Sequence, residues 1–190
     1  MIIGLVGEDP NDTTSIKNLL SKKYQEIQFK TVAKKVTGTK LGTEKLKKRL
    51  KIELAATNFR YIIFIADLDG LDTDANKKKI KKDWFSAINS LVSNKGIFLL
   101  NIYELEALIL SDIGNFNRLF GTKLKFTGDP MMKVDPKGHL KKKTAKHRRK
   151  YTESDCPEIF EQLDIKTVAK KCKYFKEFLA ELDSKLRQAA

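Results

Sequence analysis

The chain has 190 residues, with 38 Lys or Arg against 24 Asp or Glu, so its formal net charge is +14. That length suits one domain able to bury a core without disulfides or a structural metal. We expect no signal peptide, and no apolar run reaches the ~18 residues of a membrane span. Two cysteines without a C-x-x-C spacing exclude a disulfide knot and a zinc finger. These exclusions leave the expectation of a cytoplasmic globular protein. Its positive charge favours a polyanionic partner, nucleic acid first of all.

The first half of the chain alternates between apolar strands and amphipathic helices. Strands are predicted at residues 2–7, 27–33, 61–66 and 97–102. Helices are predicted over 13–24 with Asp12 as N-cap, over 43–57 with Thr43 as N-cap, from Asp74 to Val92, and over 104–110. Fully apolar strands alternating with helices indicate a parallel sheet covered on both faces.

The second half of the chain shows helical patterns and no convincing strand. Helices are predicted at roughly 114–120, 137–146, 157–171 and 173–188. We therefore predict an α/β fold of the Rossmann-like kind, with a mainly parallel sheet, helices on both faces and a helical C-terminal part. Residues 1–112 would form the core and residues 113–190 a basic extension packed on it, within a single domain.

Acidic residues follow three of the predicted strands at the points where the strands end. They are Glu8 with Asp9 and Asp12, Asp67 with Asp69, and Glu104 with Glu106. Because functional groups of parallel sheets gather outside the carboxyl ends of the strands, we expect these carboxylates to meet. Carboxylate oxygens suit Mg²⁺ or Mn²⁺, and two such ions would clamp the attacking and leaving oxygens of a phosphodiester.

Acids after strands also have a plainer explanation, because they cap the helices that follow. Capping fits Asp12 best. It fits the pair Asp67 and Asp69 least, since these follow six apolar residues and precede Gly70. Glu104 and Glu106 could equally be ordinary acids at a helix start.

The order of these motifs resembles the Toprim fold of primases, topoisomerases and overcoming-lysogenization-defect nucleases. An apolar strand ends in Glu8, Asp12 begins the next helix, and a later strand ends in Asp67-x-Asp69. The segment ELEALILSD at 104–112 is similar to a signature of small stand-alone Toprim-like proteins, often encoded beside an ATPase of the ABC or structural-maintenance type. The stretch 135–182 resembles the helical C-terminal part of that family.

The resemblance implies a nuclease that uses one or two Mg²⁺ or Mn²⁺ ions. Its expected partner is nucleic acid, with DNA favoured over RNA and the choice between them left open by the sequence. The resemblance assigns metal ligation to Glu8, Asp12, Asp67, Asp69, Glu104 and Glu106. Of these, Glu8, Asp67 and Asp69 would be the catalytic residues. Members of this family are often encoded beside an ATPase, which implies an ATPase partner and a role in phage defence. A homodimer is left open. The usual Glu-Gly opening is replaced here by Glu8-Asp9, with Gly7 ahead of it.

A basic run covers residues 137–151, with eight Lys or Arg residues and no acid. We expect it to contact nucleic-acid phosphates, which position a strand without reading its sequence. The expected contacts are Lys141, Lys142, Lys143, Lys146, Arg148, Arg149 and Lys150.

Other functions stay open on the sequence. A catalytically silent Toprim module could hold nucleic acid for a partner ATPase. The segment IIFIADLDG also matches the opening motif of haloacid-dehalogenase-type phosphatases, in which Asp67 would be the nucleophile and Asp69 the general acid. A response-regulator receiver, with a phosphorylated Asp67, needs a lysine at the end of a fifth strand, which we cannot place.

Overall fold

A parallel sheet lies at the centre of the protein. The structure, a computed structural model, describes residues 1–32 and 44–188. Within them the sheet has four strands: β1 (Ile2–Val6), β2 (Gln28–Thr31), β3 (Tyr61–Asp67) and β4 (Gly96–Asn101). The strand order is β2-β1-β3-β4 and every pairing is parallel. The predicted α/β class with a parallel sheet is thereby confirmed.

Helices cover both faces of this sheet. The described residues form α1 (Pro10–Ser21), α2 (Glu44–Ala56), α3 (Ala75–Leu91), α4 (Ala107–Ser111), α5 (Ile113–Phe120), α6 (Pro136–Thr144), α7 (Cys156–Gln162), α8 (Ile165–Lys171) and α9 (Lys173–Arg187). Short 3₁₀ turns lie at Pro130–Met132 and Glu153–Asp155. Ala33 and Thr43, which end one predicted strand and begin one predicted helix, lie outside the described residues.

The apolar run of β3 exists because the strand is buried on both sides. Side chains alternate across a strand, so Ile63 and Ile65 point to one face and Ile62 and Phe64 to the other. The first pair belongs to a core shared with α1 and the C-terminal helices. The second pair belongs to a smaller core that includes Leu50 of α2.

Three predicted helix boundaries are wrong, each for a local reason. Helix α1 begins at Pro10 with Asp9 as its N-cap, and Asp12 is the third helical residue that completes a capping box. The predicted helix 157–171 is two helices, because Leu163 has extended backbone angles and Asp164 caps α8. The helix predicted from residue 104 begins only at Ala107, after Tyr103 takes a left-handed conformation.

The C-terminal helices share the main core with the sheet. Helix α7 packs on α1 and α9 packs beside β4. Phe160 and Leu182 are fully buried in the same cluster as Ile63 of the sheet. The Tyr61 hydroxyl donates a hydrogen bond to the Lys185 carbonyl at 2.9 Å. Among the described residues, no helix is long and apolar enough to cross a membrane.

We expect the sheet and the C-terminal helices to unfold together, and Phe160→Ala to destabilise both. Removing this fully buried ring should lower the free energy of unfolding by about 3–5 kcal/mol. Urea unfolding should be followed by far-UV circular dichroism and by fluorescence of Trp84, the only tryptophan, which lies on α3.

Ile52→Ala is the control for this measurement, because Ile52 is 69% exposed and its loss should change stability by no more than about 0.5 kcal/mol. Two separate transitions in the wild-type protein would contradict the shared core.

Candidate functional site

A cavity of about 280 Å³ opens where β1, β3 and β4 end. Among the described residues that line it, eight are acidic, one third of the 24 acids in the chain. These acids are Glu8, Asp9, Asp12, Asp67, Asp69, Glu104, Glu106 and Glu153. All six residues predicted as metal ligands therefore line one cavity, which we call the acidic cavity.

The turn from β1 into α1 brings the first group of acids to the cavity. Asp9 caps α1 by accepting the Asn11 N–H at 2.7 Å, and the Asp9 N–H donates to Asp12 at 3.2 Å. Gly7 is required at this turn because a Cβ there would lie 2.9 Å from the Thr13 side chain. Asp12 therefore completes the capping box of α1 and also lines the cavity.

The end of β3 places Asp67 and Asp69 differently. Asp67 accepts a hydrogen bond from the Asn101 side-chain amide at 3.0 Å. Asp69 follows in a left-handed conformation with φ of 54°, and its side chain is 66% exposed. The Leu68 N–H donates to the Asn101 carbonyl at 2.8 Å, so the chain continues beside the extension of β4. Asp67 lies at the base of the cavity and Asp69 at its rim.

The segment after β4 supplies Glu104 and Glu106. Glu106 is 4% exposed and accepts a hydrogen bond from the Tyr151 hydroxyl at 2.8 Å. That hydroxyl also lies 3.1 Å from the sulfur of Cys156, another lining residue. The Lys137 N–H donates to Glu104 at 3.2 Å. The helical C-terminal part therefore holds both glutamates in place.

Two lysines form ion pairs with these acids. The Lys81 ammonium on α3 lies 3.4 Å from Glu8 and 3.7 Å from Asp69. The Lys137 ammonium on α6 lies 3.6 Å from Glu104 and 3.8 Å from Glu153. Each lysine bridges two acids, so part of the negative charge is already balanced by the chain itself.

Burial and mutual repulsion change the protonation of the deepest acids. Burial raises the pKa of Asp12 to about 7, and the charge of Asp9 adds to this effect. Burial followed by the charge of Asp12 raises the pKa of Asp67 well above its usual range. Burial also raises the pKa of Glu106, although Lys137 and the Tyr151 hydrogen bond oppose it. A cation at this place would relieve these costs.

The donor set fits a hard divalent cation. Carboxylate oxygens dominate the lining, and among its described residues there is no histidine. The buried side-chain oxygen of Asn101, beside Asp67, has no hydrogen-bond partner within the described part of the chain. In the ranges 1–32 and 44–188, however, no three Asp, Glu, His or Cys side chains already stand together as a ligand set. Side chains would have to turn for an ion to bind.

The structure divides the predicted basic contacts into two groups. Lys141 pairs with Glu153 at 2.8 Å. Arg149 pairs with Asp155 at 2.8 Å and with Glu158, and its guanidinium lies over the Phe120 ring. The others are exposed: Lys142, Lys143, Lys146, Arg148 and Lys150. The exposed group is the one available to a partner.

Sequence reasoning missed several residues that line the acidic cavity or contact its acids. Asn101 is the last residue of β4, so the strand-end rule that found the acids could also have found it. Lys137 lies inside the basic run, but nothing in the run distinguishes it from its neighbours. Lys81 and Tyr151 come from separate elements and carry no local signal of their position.

We expect the metal-free protein to lose stability as the pH rises. Because the fold raises the pKa values of Asp12 and Asp67, the folded chain binds protons more tightly than the unfolded chain. The stability gained from these protons is complete below the ordinary aspartate pKa of 3.8 and is lost as the pH passes about 7. In EDTA, the melting temperature should fall by several degrees between about pH 5 and about pH 8.

Asp67→Asn removes the charge at every pH, so this variant should lose less stability over the same range. The conservative control is Asp83→Asn, whose carboxylate is exposed and pairs with Lys79. If the melting temperatures of the wild type and Asp67→Asn depend on pH in the same way, the fold does not raise the pKa of Asp67.

Comparison with known proteins assigns the chain to a family. Residues 7–183 match the family described as Domain of unknown function (DUF4276), and the match includes all eight acids of the cavity. No curated protein and no solved structure was found to match the chain. Since the matched range covers almost its whole length, the protein belongs to the DUF4276 family.

Proposed function

We propose that the protein is a Mg²⁺- or Mn²⁺-dependent nuclease that hydrolyses phosphodiester bonds in nucleic acid, DNA rather than RNA. The observation that carries this proposal is the acidic cavity, where the ends of three strands deliver carboxylates. The chain has a net charge of +14, yet a third of its acids line this one cavity. Their concentrated negative charge favours the binding of cations there. The remaining positive surface suits a polyanionic substrate.

The residues that would hold one or two ions are the six acids at the strand ends. Glu106 is buried and Asp69 is exposed, while Glu8, Asp12, Asp67 and Glu104 are partly buried. A bound ion would lower the pKa of a water ligand and neutralise charge on the phosphate.

The protein's own groups would contribute the remaining steps. Glu8 is partly exposed, so a Glu8 carboxylate that does not ligate an ion would instead accept the proton of the attacking water. Lys81 and Lys137 already face the carboxylates, and their ammonium groups would donate hydrogen bonds to the oxygens of the scissile phosphate. Tyr151 holds the Glu106 carboxylate and would keep it directed toward the ion.

One observation favours a second function, that of a catalytically silent module that binds nucleic acid. Lys81 and Lys137 each bridge two acids, and these internal ion pairs balance part of the charge without a metal. In such a module the acids would serve the structure alone, and binding would depend on the exposed lysines.

We further propose a cytoplasmic protein that works with an ABC or structural-maintenance type ATPase in phage defence. The partner and the role are suggested by the genes often found beside those of the stand-alone Toprim-like proteins, whose signature ELEALILSD resembles. Cys156 and Cys172 are buried free thiols, which suits a reducing compartment.

Cleavage of plasmid and single-stranded DNA tests the proposed activity directly. We expect the wild type to cleave with Mg²⁺ or Mn²⁺, and Asp67→Asn to reduce the rate at least about 100-fold, since it removes a proposed metal ligand. Glu8→Gln should give a similar loss, whereas a phosphatase built on Asp67 would tolerate that change. Asp83→Asn should cleave at the wild-type rate. Cleavage that survives in Asp67→Asn would rule out the proposed site.

Metal binding is measured separately by thermal denaturation. Millimolar Mg²⁺ or Mn²⁺ should raise the melting temperature of the wild type and leave that of Asp67→Asn unchanged. Tyr151→Phe should bind the ion about 10–100-fold more weakly, because Glu106 loses the hydrogen bond that directs it. Tyr24→Phe is the matched control, since that hydroxyl bonds Asp183 outside the acidic cavity. A wild-type protein that neither cleaves nor responds to metal would favour the silent module.

A further inference from the structure

A second cavity, of about 390 Å³, lies beside α6 and has the opposite charge. Lys133, Lys142 and Lys143 line it together with His139 and Val134. The one acid among its described lining residues is Asp135, whose carboxylate accepts the Gly138 N–H at 2.8 Å and caps α6. We call this the basic cavity.

The periodicity of α6 separates the two cavities. Successive residues on a helix are about 100° apart, so Lys137 and Lys141 share one side of α6, while Lys142 and Lys143 lie away from it. Lys137 and Lys141 both reach Glu153, beside the acidic cavity. One short helix therefore presents cations to the acidic cavity on one side and forms the wall of the basic cavity on the other.

The lysines of the basic cavity converge on one place, where Asp135 is the single acid among the described lining residues. Within the described residues, Lys133, Lys142 and Lys143 form no ion pair. Burial, together with the charges of these three lysines, lowers the pKa of His139, so all three act on the same imidazole. A neutral His139 leaves the positive charge of the cavity to the lysines.

The wall of the basic cavity also has an apolar part. Val134 is 55% exposed, and its near neighbour Met132 is 54% exposed. The His139 ring packs edge-on against Phe126, with 6.2 Å between the ring centroids. An exposed apolar side chain and a half-buried imidazole beside converging lysines match the two parts of a nucleotide, its base and its phosphate.

We propose that the basic cavity binds a nucleotide of a single-stranded nucleic acid, with its phosphate on Lys133, Lys142 and Lys143. The base would lie against Val134 and His139, which a duplex does not allow because its bases are stacked inside. The inference rests on the proposed function, since it makes α6 the element that holds the strand whose neighbouring phosphate enters the acidic cavity.

Binding without cleavage tests this inference. The probe is a fluorescein-labelled single-stranded DNA of about 20 nucleotides, followed by fluorescence anisotropy in EDTA over a range of salt concentrations. Lys142→Ala/Lys143→Ala should weaken binding roughly tenfold and lower the salt slope by about 1.4, which is 0.7 for each lost phosphate contact. Lys170→Ala/Lys171→Ala on α8 makes the same change of charge elsewhere and should weaken binding less than about twofold.

Two results would overturn the proposal. Equal weakening by both double variants would show that only overall charge matters, and a matched duplex bound as tightly as the single strand would exclude the base contact. Failure of the proposed nuclease activity would give a different experimental result. If the wild-type protein binds the strand through the basic cavity but does not cleave it with Mn²⁺, the nuclease proposal is refuted. The proposal that the basic cavity binds a nucleotide is then still supported.

Discussion

Repulsion between carboxylates at the ends of β1, β3 and β4 shapes much of the surrounding structure. Neighbouring parallel strands end at the same edge of a sheet, so acids that directly follow these strands lie close together. Lys81 and Lys137 offset part of the repulsion by pairing with the outer acids. Tyr151 and Asn101 offset another part through hydrogen bonds to the buried ones. Such an arrangement costs stability, and a bound cation would offset that cost.

The helical C-terminal part is as necessary to the acidic cavity as the sheet is. The sheet supplies acids, but Lys137, Tyr151 and Cys156 all come from beyond residue 112. Tyr151 reaches Glu106 across 45 positions of sequence. Because these helices share one core with β1 and β3, they are packed against the end of the sheet at which the acids lie.

The features that the sequence predicted well are those with a local cause. The apolar runs of β1 and β3 require burial on both faces, so the parallel sheet could be recognised, and the strand-end acids followed from it. Asp12 was assigned the wrong capping role because two acids compete at this turn, and Pro10 at the first helical position gives the role to Asp9. The break at Leu163 escaped notice because the apolar pattern continues through it.

The features that could not be predicted depend on contacts between distant elements. Lys81 lies on a helix of several lysines, and only the tertiary packing selects it for Glu8 and Asp69. Tyr151 resembles an ordinary core aromatic in the sequence, and its hydroxyl has a role only because Glu106 lies opposite. The split of the basic run between Lys141 and Lys142 follows from the orientation of α6, which the sequence alone does not reveal.

The buried hydroxyl of Thr144 has a consequence for the conformational freedom of the loop that follows α6. It donates to the Leu140 carbonyl and accepts the Tyr151 N–H at 2.9 Å, so it ties the end of α6 to the residue that holds Glu106. The exposed cations Lys146 and Arg148 therefore sit on a short loop closed at its base. A flexible basic tail loses about 1–2 kcal/mol of backbone freedom for each residue that a ligand orders. In this loop much of that ordering is already complete when the chain has folded.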